Sequence, residues 1–474
     1  MIFAVGKQGK PYTMAFCRHT QPVIRVLILL CILATHRSVD AQDTSYLKSL
    51  SVDDILKNMH KEDWLLVDTR LPDEYNGWRA DQMTRGGHIP DSIDFCSRWL
   101  DLEIKDKPDK LKAVRQTKGI QPHKHIVLCS TDPQTNQQVA THLHRNGFRR
   151  LYSFDMRPWI ADDNKPLVRY PGFHLLVPPF IVRQILNGHR PDTFEQTVRF
   201  KLVEVSWGGE GASYSKGHIP GSFHVNTDHF EPPPSWKLGK PDLLKRFAEK
   251  YGFQVDDTVI LSGEDPTASY RLAIVLQYMG VRDVRVLNGG LSTWKAAGYP
   301  IEAQSHAPPR VNSFGATIPV HPELVDTTSE VKQAFLAPEP FVLVDTRTWA
   351  EYTGKTSGYT YHFRKGRIPG STYGQADFPG NNSLTPYRNL DTTMRNNREI
   401  ITLWEKAGSD ISHHLSFMCG GGWRAAEVLT FAQVMGMGNT SLYSDGWIGW
   451  SSNRSNPTES GTPPQTPGSK PPIP

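Results

Sequence analysis

Gly87-His88-Ile89-Pro90-Asp91-Ser92 returns as Gly217-His218-Ile219-Pro220-Gly221-Ser222, and again as Gly366-Arg367-Ile368-Pro369-Gly370-Ser371. The copies start 130 and 149 residues apart, so the repeating unit is a whole domain and not a solenoid turn. Upstream, LLVDTRLPDEYNG (65–77) and VLVDTRTWAEYTG (342–354) place Asp68, Arg70, Glu74, Tyr75 and Asp345, Arg347, Glu351, Tyr352 at identical spacing. The middle copy keeps only a strand, Leu202-Val203-Glu204-Val205, and has lost the Asp-Thr-Arg. Downstream, each copy has an apolar run, a polar or Gly-rich turn, and a helical stretch: residues 125–148, 259–281 and 415–437. Short β-rich runs feeding amphipathic helices predict βαβ units around a parallel sheet. Each copy also carries a Trp six residues after a fixed point (Ser153 to Trp159, Asn288 to Trp294, Ser444 to Trp450), which reads as a core plug.

Composition supports several cores: 38% of the 474 residues are hydrophobic, with 12 Trp, 16 Tyr and 20 Phe, which excludes a disordered or collagen-like chain. The net charge of +5 sits mostly in the first 41 residues. Beyond them 48 basic residues face 47 acidic ones, so no electrostatic footprint for nucleic acid or an acidic membrane remains. That leader has Arg18 and Arg25 ahead of the apolar run Val26–Ala34, and then the small-residue pattern Val39-Asp40-Ala41. These are the parts of a cleavable secretory signal, with Met14 a candidate start. Nine apolar residues make a helix of only about 14 Å, too short to span a bilayer. The mature protein is expected in the periplasm or secreted, as a monomer free of the membrane.

Pro-rich stretches around Pro171–Pro179 and Ser305–Val320 suggest the remaining boundaries. The expectation is a signal at 1–41, domains at 42–168, 169–304 and 313–454, and a disordered Pro-rich tail at 455–474. Cys96, Cys129 and Cys419 remain after the leader, an odd number for an oxidising compartment, so at least one thiol stays unpaired.

The combination of Asp-x-Arg-x-x-x-Glu-Tyr, Gly-His-Ile-Pro-Gly-Ser and a Cys-x-x-Gly-x-Arg loop resembles the rhodanese family of sulfurtransferases. The likeness covers nearly all of the mature chain, most like exported members with three copies. It implies an α/β fold of three tandem rhodanese-like domains, each a doubly wound, mostly parallel five-stranded sheet with helices on both faces. It also implies that Cys419 is a nucleophile that carries sulfur as a persulfide, taken from thiosulfate or 3-mercaptopyruvate and given to a thiol, cyanide or a protein acceptor.

The residues of that loop fit such chemistry. A sulfur nucleophile must be a thiolate, and Gly420, Gly421, Gly422, Trp423 and Arg424 offer backbone amides at a helix start and a fixed positive charge for binding substrate. Three consecutive glycines suggest that unusual φ values close the cradle. In the middle copy Ser262 stands where Cys419 is expected, beside Glu264 and Asp265, so that domain is expected to be inactive. In the first copy Cys129 ends the strand at the apparent equivalent, but its loop lacks Gly and Arg. Counting to the Gly that ends the next helix gives 18 residues from Cys129 and 17 from Cys419, which suggests an inserted residue. Cys129 therefore reads as structural, or as paired with Cys96.

Asp345, Arg347 and Glu351 are expected to form an ion pair beside the sheet. The third copy has 53 residues between Gly366 and Cys419, and its extra segment around 375–395 is a candidate lid. No Cys-x-x-Cys, His-Glu-x-x-His or Gly-x-Gly-x-x-Gly is present, and His413-His414 reads as a solvated loop, so neither a metal nor another cofactor is expected. Two other functions share these residues. A phosphatase of the related fold places Arg six residues after Cys, whereas Arg424 follows by five, too tight for phosphate. A sulfur-carrier or redox scaffold would use Cys419 with little small-molecule turnover.

Overall fold

A computed structural model describes residues 46–194, 200–377 and 384–463. The expected signal peptide lies outside these residues. Among them, no helix is long and apolar enough to cross a membrane.

Three five-stranded parallel sheets follow one another along the chain. The first contains β1 (Leu47–Leu50), β2 (Trp64–Asp68), β3 (Ile93–Asp94), β4 (His125–Ser130) and β5 (Leu151–Asp155). The second contains β6 (Leu176–Val177), β7 (Phe200–Ser206), β8 (Phe223–Asn226), β9 (Thr258–Ser262) and β10 (Asp283–Leu287). The third contains β11 (Val325–Asp326), β12 (Phe341–Asp345), β13 (Thr372–Tyr373), β14 (His414–Met418) and β15 (Thr440–Tyr443). Each runs in the same order: first, fifth, fourth, second, third strand. The central strands β4, β9 and β14 are buried from end to end apart from their first residues, or wholly so in β9, because helices cover both faces.

The repeated motifs have local causes. Arg70 and Arg347 each grip the Asp two residues earlier through two nitrogens, with Nε–Oδ1 distances of 3.0 Å. Each also donates to the first Gly of its Gly-x-Ile-Pro turn, Gly87 at 2.7 Å and Gly366 at 2.9 Å, which ties strand to turn. Glu351 is not part of this pair and reaches Arg424 instead. Trp159, Trp294 and Trp450 are fully buried, and each indole donates to a Pro carbonyl just beyond: Pro166, Pro300 and Pro457. Replacing one by Ala would cost about 3–5 kcal/mol.

After its last helix, each copy returns to pair with its own Gly-x-Ile-Pro turn, through His88–Val168, His218–Glu302 and Arg367–Glu459 bridges. This corrects the expected tail. Asn456 is buried, Arg367 reaches both Glu459 and the Gly461 carbonyl, and the chain through Pro463 belongs to the third copy.

The inserted segment of the third copy is a junction, not a lid, over residues 384–395. Asp391 accepts from Trp99 of the first copy at 2.8 Å. Met394 N–H donates to Asn288 of the second at 3.0 Å, and Asn288 in turn donates to Asp73 of the first at 2.8 Å. Burial raises the Asp73 carboxyl to about 7. Residues 378–383 of the expected lid lie outside the described residues.

Candidate active site

Three helices leave the ends of the central strands: α1 (Pro133–Arg145), α2 (Pro266–Met279) and α3 (Trp423–Val434). The pairing register fixes which loop residues correspond. Asp68 faces Cys129, Glu204 faces Ser262, and Asp345 faces Met418. The next residues are Ser130, Gly263 and Cys419, whose carbonyls accept from Met156, Leu291 and Trp447 in the same manner. Cys129 and Ser262 are therefore counterparts of Met418, one position before the nucleophile's place. Side chains alternate along a strand, so that single step turns Cys129 into the apolar core with Val127, Phe154 and Trp159. Burial pushes its thiol far up, and its Sγ donates to the Val127 carbonyl at 3.6 Å. Cys96, Cys129 and Cys419 are all free and buried, so the Cys96–Cys129 pair does not form. From Ser130, Gly263 and Cys419 the next helix-ending Gly lies 17 residues on in every copy, and the inserted residue disappears.

Around Cys419 the loop is built by close approach more than by unusual dihedral angles. Only Gly422 has a positive φ, +93°, and a Cβ there would press on Arg271 at 2.7 Å. Gly420 lies under the Tyr359 ring, where a Cβ would collide with the phenol. Gly421 is free of such contact, its nearest neighbour being the Trp236 carbonyl at 3.9 Å. Gly422 N–H donates to Cys419 Sγ at 3.2 Å, aimed from the start of α3. That amide and the positive end of a twelve-residue helix favour a sulfur anion.

Arg424 is engaged by Glu351 and Tyr359. Its guanidinium meets Glu351 at 2.8 and 2.9 Å and the Tyr359 hydroxyl at 2.7 Å. Burial works against the Glu351 carboxylate, but hydrogen bonds and charge from Arg424 prevail and hold it down at about 2. The pair anchors Tyr359 over the loop. Trp423 donates to Glu231 of the second copy at 2.8 Å, and Glu231 also takes Arg271 Nε at 2.6 Å. Arg271 is fully buried and extends to Ser444 at 2.7 Å, so the second copy supports the floor of this loop. Helices α2 and α3 pack directly, with Tyr270 edge-on to Phe431 at 5.5 Å.

Cys419 opens on a pocket of about 410 Å³ between the second and third copies. Trp207 and Trp236 from the second copy and Tyr359, Tyr361 and Trp423 from the third form aromatic walls, and Asp265, Asp445, Lys237 and Arg424 also line it. Tyr361 lies 4.8 Å from Trp236 between ring centres. Asp228 fixes both indoles of the second copy, accepting from Trp207 at 3.1 Å and Trp236 at 3.0 Å. Of these residues the sequence motifs singled out Trp423, but not Trp207, Trp236, Tyr359, Tyr361, Glu231 or Arg271. The signal available was KTSGYTYHFRK, two residues longer between Glu351 and Gly366 than the matching stretch between Glu74 and Gly87.

Comparison with known proteins agrees with this architecture. The rhodanese-like domain family matches residues 51–156, 195–297 and 327–453. Thiosulfate sulfurtransferase YnjE of Escherichia coli is 32% identical over 86% of this chain and 91% of its own length. Sulfur carrier protein TtuD of Thermus thermophilus is 25% identical over 50% of this chain and 83% of its own. Among solved structures, the anaerobic ergothioneine biosynthesis enzyme of Chlorobium limicola, in complex with trimethyl histidine, is 32% identical. It superposes with a TM-score of 0.82 over 88% of this chain and all of that one. With three matched domains on three like sheets, the chain belongs to the rhodanese family and is an enzyme of the sulfurtransferase class with a threefold repeat.

Proposed function

We propose that Cys419 takes a sulfane sulfur as a persulfide and passes it to a small acceptor held in the aromatic pocket. The carrying observation is the placement of Cys419 Sγ, under the Gly422 amide, on the floor of that pocket. The thiolate attacks the outer sulfur of thiosulfate, breaking its S–S bond and releasing sulfite, or the thiol sulfur of 3-mercaptopyruvate, breaking its C–S bond and releasing pyruvate as the enolate takes up a proton; the acceptor then takes the sulfur in a second half-reaction. A thiol or cyanide acceptor discharges the persulfide directly.

A second acceptor class is favoured by the walls. Aromatic faces attract cations, most strongly when desolvated, and the lining carries both signs of charge, Asp265 and Asp445 with Lys237 and Arg424. A trimethylammonium-bearing imidazole such as trimethyl histidine fits both. The likeness to the ergothioneine enzyme supports it, as does a solved form of that enzyme with a cysteine persulfide and ergothioneine, 32% identical with a TM-score of 0.82. The transfer balances without an added oxidant: the outer sulfur joins carbon, carbon loses a proton, and Cys419 returns as a thiol. One difference is notable. Structures of that enzyme include variants of a threonine two positions after the persulfidated cysteine, where Gly421 stands here.

The test is intact mass of the mature protein after thiosulfate or 3-mercaptopyruvate, with Cys419→Ala as control. A gain of about 32 Da lost in the variant is expected, followed by discharge on adding cyanide, a thiol or trimethyl histidine. No gain from either donor overturns the donor assignment. A persulfide that no small acceptor removes would mean a carrier serving a protein partner. The signal-like leader supports an activity outside the cytoplasm, which fractionation of the native host tests.

A further inference from the structure

The middle copy carries a second cluster of ligating side chains, on the face formed by its Gly-His-Ile-Pro turn and the chain that returns to it. His218 Nε2, a Glu302 carboxylate oxygen and a His306 ring nitrogen all lie within 4.8 Å of one another. His218 Nε2 is 3.7 Å from Glu302 Oε1, and His306 Nε2 is 2.7 Å from the same oxygen. Ligands 2.0–2.1 Å from a tetrahedral zinc ion sit about 3.3 Å apart, so small side-chain movements would close the set around one ion.

The state of His218 is the second observation. Its side chain is completely buried, and Nε2 has no hydrogen-bond partner among the described residues. The other ring nitrogen lies 2.8 Å from the Tyr214 carbonyl, which can only accept, so Nδ1 carries the proton. The lone pair is thereby left on Nε2, facing Glu302 and His306. Stacking on the Tyr214 ring, at 3.6 Å and 5°, fixes the imidazole plane. A ligating histidine oriented by a carbonyl behind it is the usual outer arrangement of a metal site. Glu302 is held from the backbone too: Oε1, the oxygen that faces both imidazoles, accepts Gly221 N–H. His306 is placed by its backbone N–H, which donates to Tyr214 Oη at 3.1 Å. Glu302 and His306 are partly open to solvent, which gives an ion an entry path and room for a water ligand.

The sister copies lack the set. His88 makes the same stack and the same carbonyl bond, but Val168 faces it and offers no ligand. In the third copy Arg367 replaces the histidine and occupies Glu459 at 3.0 Å. The stacked histidine alone is therefore a packing group, and the middle copy adds a carboxylate and a second imidazole to it. We infer that His218, Glu302 and His306 bind one divalent cation of the zinc type, fastening the segment that leads into the third copy onto the second. None of the three lines the Cys419 pocket.

The experiment uses tag-free, chelator-treated mature protein in a Cys419→Ala background, so that the thiol contributes no metal signal. Zinc is titrated by calorimetry and cobalt(II) by its visible absorption. One equivalent of each is expected, with cobalt bands intense enough for four- or five-coordination. Glu302→Gln and His306→Ala, both partly exposed, should weaken binding at least tenfold while thermal melts without metal stay unchanged. Assayed with Cys419 restored, both variants should keep wild-type sulfur loading. Absence of stoichiometric binding, pale octahedral cobalt spectra, or affinity unchanged in both variants would overturn the site. None of these outcomes bears on the Cys419 chemistry, which is read separately by mass.

Discussion

Ser130, Gly263 and Cys419 occupy one position in three copies of one fold, at the end of the same central strand, with their carbonyls held the same way. What differs is the loop beyond. In the first two copies the helix starts three residues later behind an Asp cap, Asp132 or Asp265, followed by Pro. In the third it starts four residues later behind Gly422, whose own amide goes to the sulfur; Pro133 and Pro266 hold that position in the other copies and have no N–H to give, while the Asp caps take the next amide. A capping carboxylate and a persulfide anion compete for the same helix end, and the sequence at that end chooses between them.

Breaking that comparison at its root gives the largest effect. Cys419→Ala should lower sulfur-transfer turnover by at least about 10^3-fold, and Cys129→Ser should leave it within about twofold. Gly263→Cys should not create a second loading site, because Pro266 stands where Gly422 gives its amide, Asp265 already takes the Thr267 amide at 3.0 Å, and a Cβ at 263 would press on the Val205 carbonyl at 2.6 Å. Mass per chain after thiosulfate reads all three. A second sulfur on the Gly263→Cys protein would show that the cap is not what silences the loop.

The next effect concerns the anchor of the loop. Glu351→Gln takes the Glu351 carboxylate from the mostly buried Arg424 guanidinium, expected to cost up to about 3 kcal/mol and to slow loading about tenfold. Because the Glu351 carboxyl is held at about 2 against an ordinary 4.5, its stabilisation is full above pH 4.5 and is lost as pH falls towards 2. Melting curves of wild type and variant should therefore differ at pH 7 and converge near pH 2. A gap that persists in acid would assign the loss to packing.

These contrasts show where the sequence was readable. Asp-Thr-Arg and Gly-x-Ile-Pro could be matched by spacing because both act within one βα unit, the arginine bonding the turn 17 or 19 residues on. The register of Cys129 was misread because a strand alternates every residue, so a slip of one exchanges core for site. The constant 17-residue distance to the helix-ending glycine held the answer. Trp236 comes to the pocket, and Glu231 and Arg271 to the loop beneath it, from the middle copy, and His306 meets His218 across 88 positions; no short motif encodes such meetings. The inserted segment looked like a lid since it is polar and near Cys419 in sequence, yet Leu384, Tyr387 and Met394 turn it inward.

In the middle copy the strand motif keeps its carboxylate and loses the partner that neutralised it. Glu204 stands where Asp68 and Asp345 stand, but Ser206 replaces the arginine, and both carboxyl oxygens are buried without a hydrogen bond among the described residues. Burial lifts this carboxyl from 4.5 to about 8, so the folded state keeps a proton that the unfolded chain releases. Stability should fall by about 1.4 kcal/mol per pH unit between those values, being full below 4.5. Glu204→Gln should flatten this slope, measured as ΔG of unfolding at pH 5 and pH 8. Equal slopes in both proteins would mean that water or a cation reaches Glu204.

The smallest effect separates two adjacent glycines. Gly420→Ala must drive a methyl into the Tyr359 phenol, whose hydroxyl is held by Arg424, so the loop has to shift and loading should fall severalfold or more. Gly421→Ala meets nothing closer than the Trp236 carbonyl at 3.9 Å, and its backbone φ is not one that side chains avoid. Its methyl would enter the pocket mouth. Persulfide formation should be unchanged within about twofold, while KM for the acceptor moves a few-fold, since the pocket and not the cradle is altered. A kcat loss with unchanged KM would instead place Gly421 in the cradle, against the open space seen beside it. If Gly421→Thr, which restores the residue of the ergothioneine enzyme at this spacing, raised discharge by trimethyl histidine over cyanide, the open glycine would be what sets this chain's acceptor apart.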